Sequence, residues 1–128
     1  MHFEHVAMNV PDPRAMARWY VEHLGMRIVR QVNEPPYMHF LADATGRVIF
    51  ELYANTNAAI PNYPEQHPLI LHNAFAVEDM DGTIARLTAV GATVFSDEKT
   101  ADGGRLAMLR DPWGIPLQLT QRAVPLGG

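Results

Sequence analysis

The chain carries one pattern of apolar and polar positions twice. In the first copy Val6, Met8 and Val10 alternate with His5, Ala7 and Asn9. That is the period-two signature of a strand with one buried face, and it predicts a strand from Phe3 to Val10. Pro11-Asp12-Pro13 breaks the alternation, with Asp12 placed as a helix N-cap and Pro13 at the first helical position. Met16, Trp19, Tyr20, His23 and Leu24 then recur at helical spacing and Gly25 stops them. Strands are predicted over Met26 to Val32, Tyr37 to Ala42 and Arg47 to Ala54, with a turn at Asp43 to Gly46. The second copy predicts a strand over Ile70 to Val77 and a helix starting at Asp79 or Asp81. Its apolar stripe is Met80, Ile84, Leu87 and Val90, and Gly91 ends it. Strands over Ala92 to Ser96, Arg105 to Arg110 and Ile115 to Gln121 follow, the last two joined by a second Asp-x-x-Gly turn at Asp111 to Gly114.

Each half therefore reads βαβββ. We expect an α+β fold in which two such modules, 1–54 and 69–122, form a curled mixed sheet within a single domain spanning 1–128. The segment 55–68 holds three prolines, three asparagines and no apolar periodicity. It is the expected linker, exposed at least in part.

The repeat also aligns polar side chains. His5-Val-Ala-Met-Asn-Val-Pro-Asp12 matches His72-Asn-Ala-Phe-Ala-Val-Glu-Asp79. Glu51 follows His5, and Gln118 follows His72, at the same interval. Successive strand residues point to opposite faces. Two amphipathic helices need a sheet face to cover, which assigns Val6, Met8, Val10, Phe50, Leu52, Phe75, Val77, Leu117 and Leu119 to the covered one. His5, Glu51, His72 and Gln118 then share the other face, where Ala7, Ala74 and Ala76 leave room for a ligand. If that face curls into a trough, the four polar side chains meet. The structural alternative is a solvated sheet face, which commonly carries such residues.

Composition narrows the chemistry. The chain has 128 residues, 48% of them hydrophobic, and a formal net charge of −4 without a run of like charges. Nucleic-acid or membrane-surface binding would call for a basic patch, so neither is expected. Cysteine is absent and there are six histidines, which excludes disulfides and thiolate ligands and directs a metal hypothesis to nitrogen and oxygen donors. No stretch has the length of a membrane span, and the first residues do not read as a signal peptide. A cytoplasmic protein is the expectation.

These segments, together with Trp19-Tyr20, Leu24-Gly25-Met26, Phe50-Glu51-Leu52, Asp111-Pro-Trp-Gly114 and Leu117-Gln118-Leu119, resemble the vicinal oxygen chelate superfamily. That superfamily includes glyoxalase I, fosfomycin and bleomycin resistance proteins, extradiol dioxygenases and methylmalonyl-CoA epimerase. The resemblance spans roughly Phe3 to Gln121. It implies a divalent metal ion (Zn, Ni, Mn or Fe) held by His5, Glu51, His72 and Gln118, a small-molecule substrate, and a homodimer. The first three match residue types common in glyoxalase-like members, whereas Gln118 stands where Glu is usual. An amide can ligate through its oxygen but cannot take a proton near neutral pH, so Glu51 is the one carboxylate left as ligand, base or both.

The resemblance thus implies a metal-dependent lyase or isomerase acting through an enolate-like intermediate on vicinal oxygens. Its alternatives are a non-catalytic binding protein of bleomycin-resistance type and an Fe(II) extradiol-type dioxygenase. In family dioxygenases the carboxylate sits on the last strand, where this chain has Gln118.

Several further residues have two readings each. His39 is either an acid/base group on the trough or a structural histidine. Tyr53 and Trp113 either reach the pocket rim or cap the core. His2, His23 and His67 read as surface or core-edge side chains. Lys99, Arg105 and Arg110 are either anion contacts or exposed charge. The polar segment Asp97 to Gly104 is either a lid or a hairpin connection.

Overall fold

The computed structural model describes residues 1–127. The chain divides into two compact units between Pro61 and Asn62, inside the segment read as a linker. The first unit contains β1 (Val6–Asn9), α1 (Pro13–Leu24), β2 (Arg27–Gln31), β3 (His39–Ala42) and β4 (Val48–Tyr53). The second opens with a 3-10 turn at Tyr63–Glu65 and continues with β5 (Asn73–Ala76), α2 (Met80–Thr88), β6 (Thr93–Lys99), β7 (Arg105–Arg110) and β8 (Pro116–Gln121). Each unit is a βαβββ module with a mixed four-stranded sheet, ordered β1-β4-β3-β2 and β5-β8-β7-β6. In each sheet the edge strand that opens the module pairs in parallel, β1 with β4 and β5 with β8, and the remaining pairs are antiparallel. The α+β class with two βαβββ modules is the one predicted. Among the described residues no helix is long and apolar enough to cross a membrane.

Local chemistry sets the helix ends. The Asp12 carboxylate accepts from the Ala15 N–H at 3.1 Å, with Pro13 just inside the helix. Gly25 ends α1 with φ +67, a left-handed conformation that suits glycine. Asp79 caps α2 by accepting from the Gly82 N–H at 3.0 Å. Of the two candidate starts, Asp79 is thus the cap, and Asp81 lies in the first turn.

The buried face of α1 carries Met16, Ala17, Trp19 and Tyr20. Tyr20 meets Phe50 of β4 edge-on at 6.1 Å between ring centroids, and Met8, Leu41 and Leu52 complete the layer. In the second unit Met80 and Leu87 are buried on α2, and Leu109, Leu117 and Leu119 in the sheet. Fully burying one such side chain contributes about 1.5–3 kcal/mol.

Three elements depart from the sequence reading. The strand predicted from Ile70 starts at Asn73, and Leu69, Ile70 and Leu71 are exposed. A turn closed by Ile70 N–H to His67 C=O, at 2.9 Å, keeps that run out of the ladder. Helix α2 stops at Thr88 rather than reaching Gly91, so Val90 leaves the apolar stripe and is exposed. Strand β6 runs on to Lys99, past a bulge between Val94 and Ser96. The lid reading of Asp97 to Gly104 therefore fails. Residues 97–99 are ladder, and the rest is a tight turn closed by Thr100 N–H to Gly104 C=O at 2.9 Å.

Arg105 fastens this region. Its guanidinium donates to Asp97 on β6 at 2.8 and 2.7 Å and to Asp81 on α2 at 2.6 Å. The bond from Arg105 holds the Asp97 carboxyl below the usual carboxylate range. A carboxylate depressed on folding adds stability above its unfolded value, about pH 3.9, and loses it as pH falls through the folded value. Asp97→Asn should therefore be less stable than wild type near pH 7, with the gap closing below about pH 4. Urea unfolding at both pH values measures it.

Candidate functional site

His5 directly precedes β1, and Glu51 lies in the middle of β4. The register pairs Ala7 with Glu51 and Glu51 with Phe40. Cross-strand partners share a face, so Ala7, Glu51 and Phe40 line the sheet face away from α1. His5 joins them by parity and by contact, its ring standing edge-on to Phe40 at 5.2 Å. Its Nε2 faces Glu51 Oε1 at 3.6 Å. The structure thus brings together two of the four residues picked out by the repeat. Both side chains keep access to solvent, at 29% and 21% exposure.

The other ring nitrogen fixes the chemistry of His5. Nδ1 lies 2.8 Å from Glu4 Oε1. A carboxylate oxygen only accepts, so Nδ1 carries the hydrogen. In the neutral ring Nε2 is then a lone pair facing a carboxylate oxygen, at a distance too long for a hydrogen bond. A cation resolves that opposition, either a second proton on the ring or a metal ion. Two donors about 2.1 Å from a common ion stand roughly 3.0–3.5 Å apart, and the pair is close to that spacing.

His72 repeats the device in the second unit. Its Nδ1 donates to the Pro68 carbonyl at 2.9 Å, which leaves the lone pair on Nε2 in the neutral ring. Gln118 lies on β8 between Ala74 of β5 and Met108 of β7 in the register. By parity His72, Ala74 and Gln118 share one face. Fixing a histidine through its second nitrogen to a carboxylate or backbone carbonyl is the usual support of a metal-binding imidazole. Among the described residues, however, no group of three or more His, Cys, Asp or Glu side chains is arranged to hold a metal ion.

His39 is a correction. Its register partner is Leu52, not Glu51, which puts it on the α1 side of the sheet. It is 3% exposed, with Nδ1 donating to the Tyr37 carbonyl at 2.7 Å. The sheet separates it from Glu51, so it is a structural histidine and the acid/base reading is dropped. Of the basic candidates, Arg105 and Arg110 are held by the protein itself. Arg110 donates to the carbonyls of Tyr63 and Gly114 at 3.0 Å and of Gln66 at 2.8 Å. Trp113 sits in a turn organised by Asp111, whose Oδ1 accepts from the N–H groups of Trp113 and Ile115 at 2.9 Å each. Tyr53 pairs with Asn9, whose amide ties down residues 55–59 through the carbonyls of Asn55 and Ala58.

Sequence reasoning missed Glu4, Phe40 and Pro68. Neighbours on a strand alternate faces, so no spacing rule pairs Glu4 with His5. Pro68 acts through its backbone, which side-chain patterns do not register.

The model of the Glyoxalase/Bleomycin resistance protein/Dioxygenase superfamily matches residues 2–119. The chain is 26% identical over 126 residues to a lactoylglutathione lyase of Haemophilus influenzae, covering 94% of this chain and 93% of that protein. A glyoxalase family protein from Enterococcus faecalis superposes with a TM-score of 0.68 at 28% identity, over 94% of this chain and 97% of that one. TnmS3, an antibiotic-binding protein from Streptomyces sp. CB03234, superposes with a TM-score of 0.72 at 23% identity, over 96% and 97%. At that identity the likeness is one of fold.

Arg110 holds the segment that leads to Pro68 and hence to His72. Arg110→Ala leaves three carbonyls without their charged donor and should cost about 1.5–3 kcal/mol. Urea denaturation measures the loss, and the His72 ring resonances in NMR should broaden or shift.

Proposed function

Because the chain belongs to the glyoxalase/bleomycin resistance protein/dioxygenase superfamily, we propose that it is a metal-dependent lyase or isomerase. Its substrate is a small molecule with two adjacent oxygens, and its ligand set is His5, Glu51, His72 and Gln118. The observation that carries the reading is the anchoring of both histidines through Nδ1, by Glu4 and by the Pro68 carbonyl. A histidine on a merely wet surface has no need of a fixed tautomer. The relation to a lactoylglutathione lyase supports the reaction class.

The donor set is two neutral imidazoles, one carboxylate and one amide oxygen, which suits a borderline divalent ion such as Zn, Ni, Mn or Fe. When bound, such an ion supplies Lewis-acid polarisation of a substrate carbonyl. Glu51 is the one proton acceptor in the set. Its carboxylate takes the proton from the carbon beside that carbonyl and returns it to the neighbouring position. The Gln118 amide holds a substrate oxygen by donating from its NH2 or ligates through its oxygen, and moves no proton. Phe40 fixes the plane of the His5 ring and shields one side of the pair.

One observation favours a second reading. With Gln118 in place of a carboxylate, the second half-site lacks a base, which suits a protein that binds a small molecule without turning it over. The dioxygenase reading is weaker, because the carboxylate stands on β4 rather than β8.

Two measurements test the proposal. Elemental analysis and calorimetry with Zn²⁺, Ni²⁺, Mn²⁺ and Fe²⁺ should show metal uptake, weakened about 100-fold or more by His5→Ala or His72→Ala and about 10-fold by Glu4→Ala. A wild-type protein that takes up none of the four ions would refute the metal reading. Gln118→Glu should raise lactoylglutathione formation from methylglyoxal and glutathione at least 10-fold, within the range of one general base. No gain in a metal-loaded variant would refute the reading that the amide at this position is what withholds a second base from the site.

A further inference from the structure

We propose that a cavity in the second unit is a binding subsite for a small organic monoanion, with its apolar body on Ala74, Ala76 and Thr120 and its carboxylate on Arg122. The cavity measures about 710 Å³, within the range of small-molecule sites, about 300–1,000 Å³. Ala74 and Ala76 lie on the sheet face away from α2, beside Gln118 and Thr120 in the β5/β8 register. Their methyl groups leave the floor open. Pro125 and Leu126, beyond β8, form a wall. Leu126 is 76% exposed, so an apolar body seated there removes apolar surface from water on both partners.

Charge selects the polar end. Arg122 lines this cavity and also an adjoining one of about 290 Å³. Arg105, which lines the smaller cavity, is already bonded to Asp81 and Asp97. Arg122 has no hydrogen-bonded acceptor among the described residues. The Asp102 carboxylate feels its charge, but the Asp102 oxygen accepts instead from the Thr100 hydroxyl and the Gly104 N–H. A planar guanidinium in that state fits a carboxylate in bidentate fashion. Glu78 on the same rim repels a second negative charge, which restricts the class to monoanions.

All of these residues belong to the second unit, and none is among the four ligands proposed above. The subsite lies on the same open face as Gln118 but needs no metal ion, so an experiment on metal-free protein distinguishes its failure from that of the metal reading. The full chain, treated with EDTA, is titrated with 2-naphthoate and with its neutral analogue 2-naphthamide, followed by backbone amide NMR. Naphthoate should shift the amides of residues 74–78 and 120–126 and bind about 10-fold more tightly than naphthamide. Arg122→Gln should abolish that preference, and Ala76→Leu should block both compounds. Because Arg122 is exposed, its variant carries the test even if Ala76→Leu does not fold. Shifts elsewhere or nowhere, or a preference for naphthoate that survives Arg122→Gln, overturn the proposal.

Discussion

The parallel pairing of β1 with β4, and of β5 with β8, sets a small residue beside each long polar one, Ala7 beside Glu51 and Ala74 beside Gln118. A slip of one residue in either pair would turn Glu51 or Gln118 toward the helix side and Phe50, Leu52, Leu117 or Leu119 toward the open face. The register is held from the other side. Phe50, Leu52, Leu117 and Leu119 are at most 1% exposed, and moving them into water would cost about 1.5–3 kcal/mol each. The polar positions are thus specified by the apolar ones between them. The open face inherits its geometry from the core.

That constraint places residues on a face but does not orient their rings. For His5 and His72 orientation comes from Nδ1 contacts at 2.8 and 2.9 Å, with a neighbouring carboxylate in one unit and a backbone carbonyl in the other. The partners differ because the preceding chain differs. Glu4 precedes β1 in an exposed segment, whereas residues 67–70 form a turn, and the Pro68 carbonyl within it meets the His72 ring. Arg110 reinforces this turn by holding the carbonyls of Tyr63 and Gln66. The same outcome, a lone pair on Nε2, is reached by two local structures. Convergence of that kind is more readily explained by a demand on Nε2 than by two unrelated accidents of surface packing.

Much of the fold was legible because it rests on local rules. Asp12 with Pro13, Gly25 and Asp79 mark helix ends, and the period-two alternation around Met8 and Leu52 marks strands. The illegible parts depend on tertiary register. His39 sits in a run, Met38-His39-Phe40-Leu41, whose parity alone admits either face. Only its pairing with Leu52 shows that it lies under α1 and not beside Glu51. The extension of β6 through Asp97 to Lys99 depends on the β7 ladder and the Arg105 pair. No property of the residues themselves announces it. The apolar run Leu69-Ile70-Leu71 has the composition of a strand, yet the turn at His67 to Ile70 excludes it. For the proposed site, the repeat picks out four positions, and the structure adds a contact for one pair, His5 with Glu51.

The distribution of charge bears on what such a face can take up. Arg105 and Arg110 answer to acceptors within the protein, two aspartates and three carbonyls respectively, and neither guanidinium is left for a ligand. The register around Gln118 brings Ala74, Met108, Leu106, Thr120, Pro116 and Arg110 to its side, and the one charge among them, on Arg110, is taken up by backbone carbonyls. A polyanionic substrate would find little there to offset the loss of its hydration. A molecule with one charged end and an otherwise apolar body loses less. The Gln118 amide works in the same direction, since at that position it puts no negative charge on the open face of the second unit to repel such an anion.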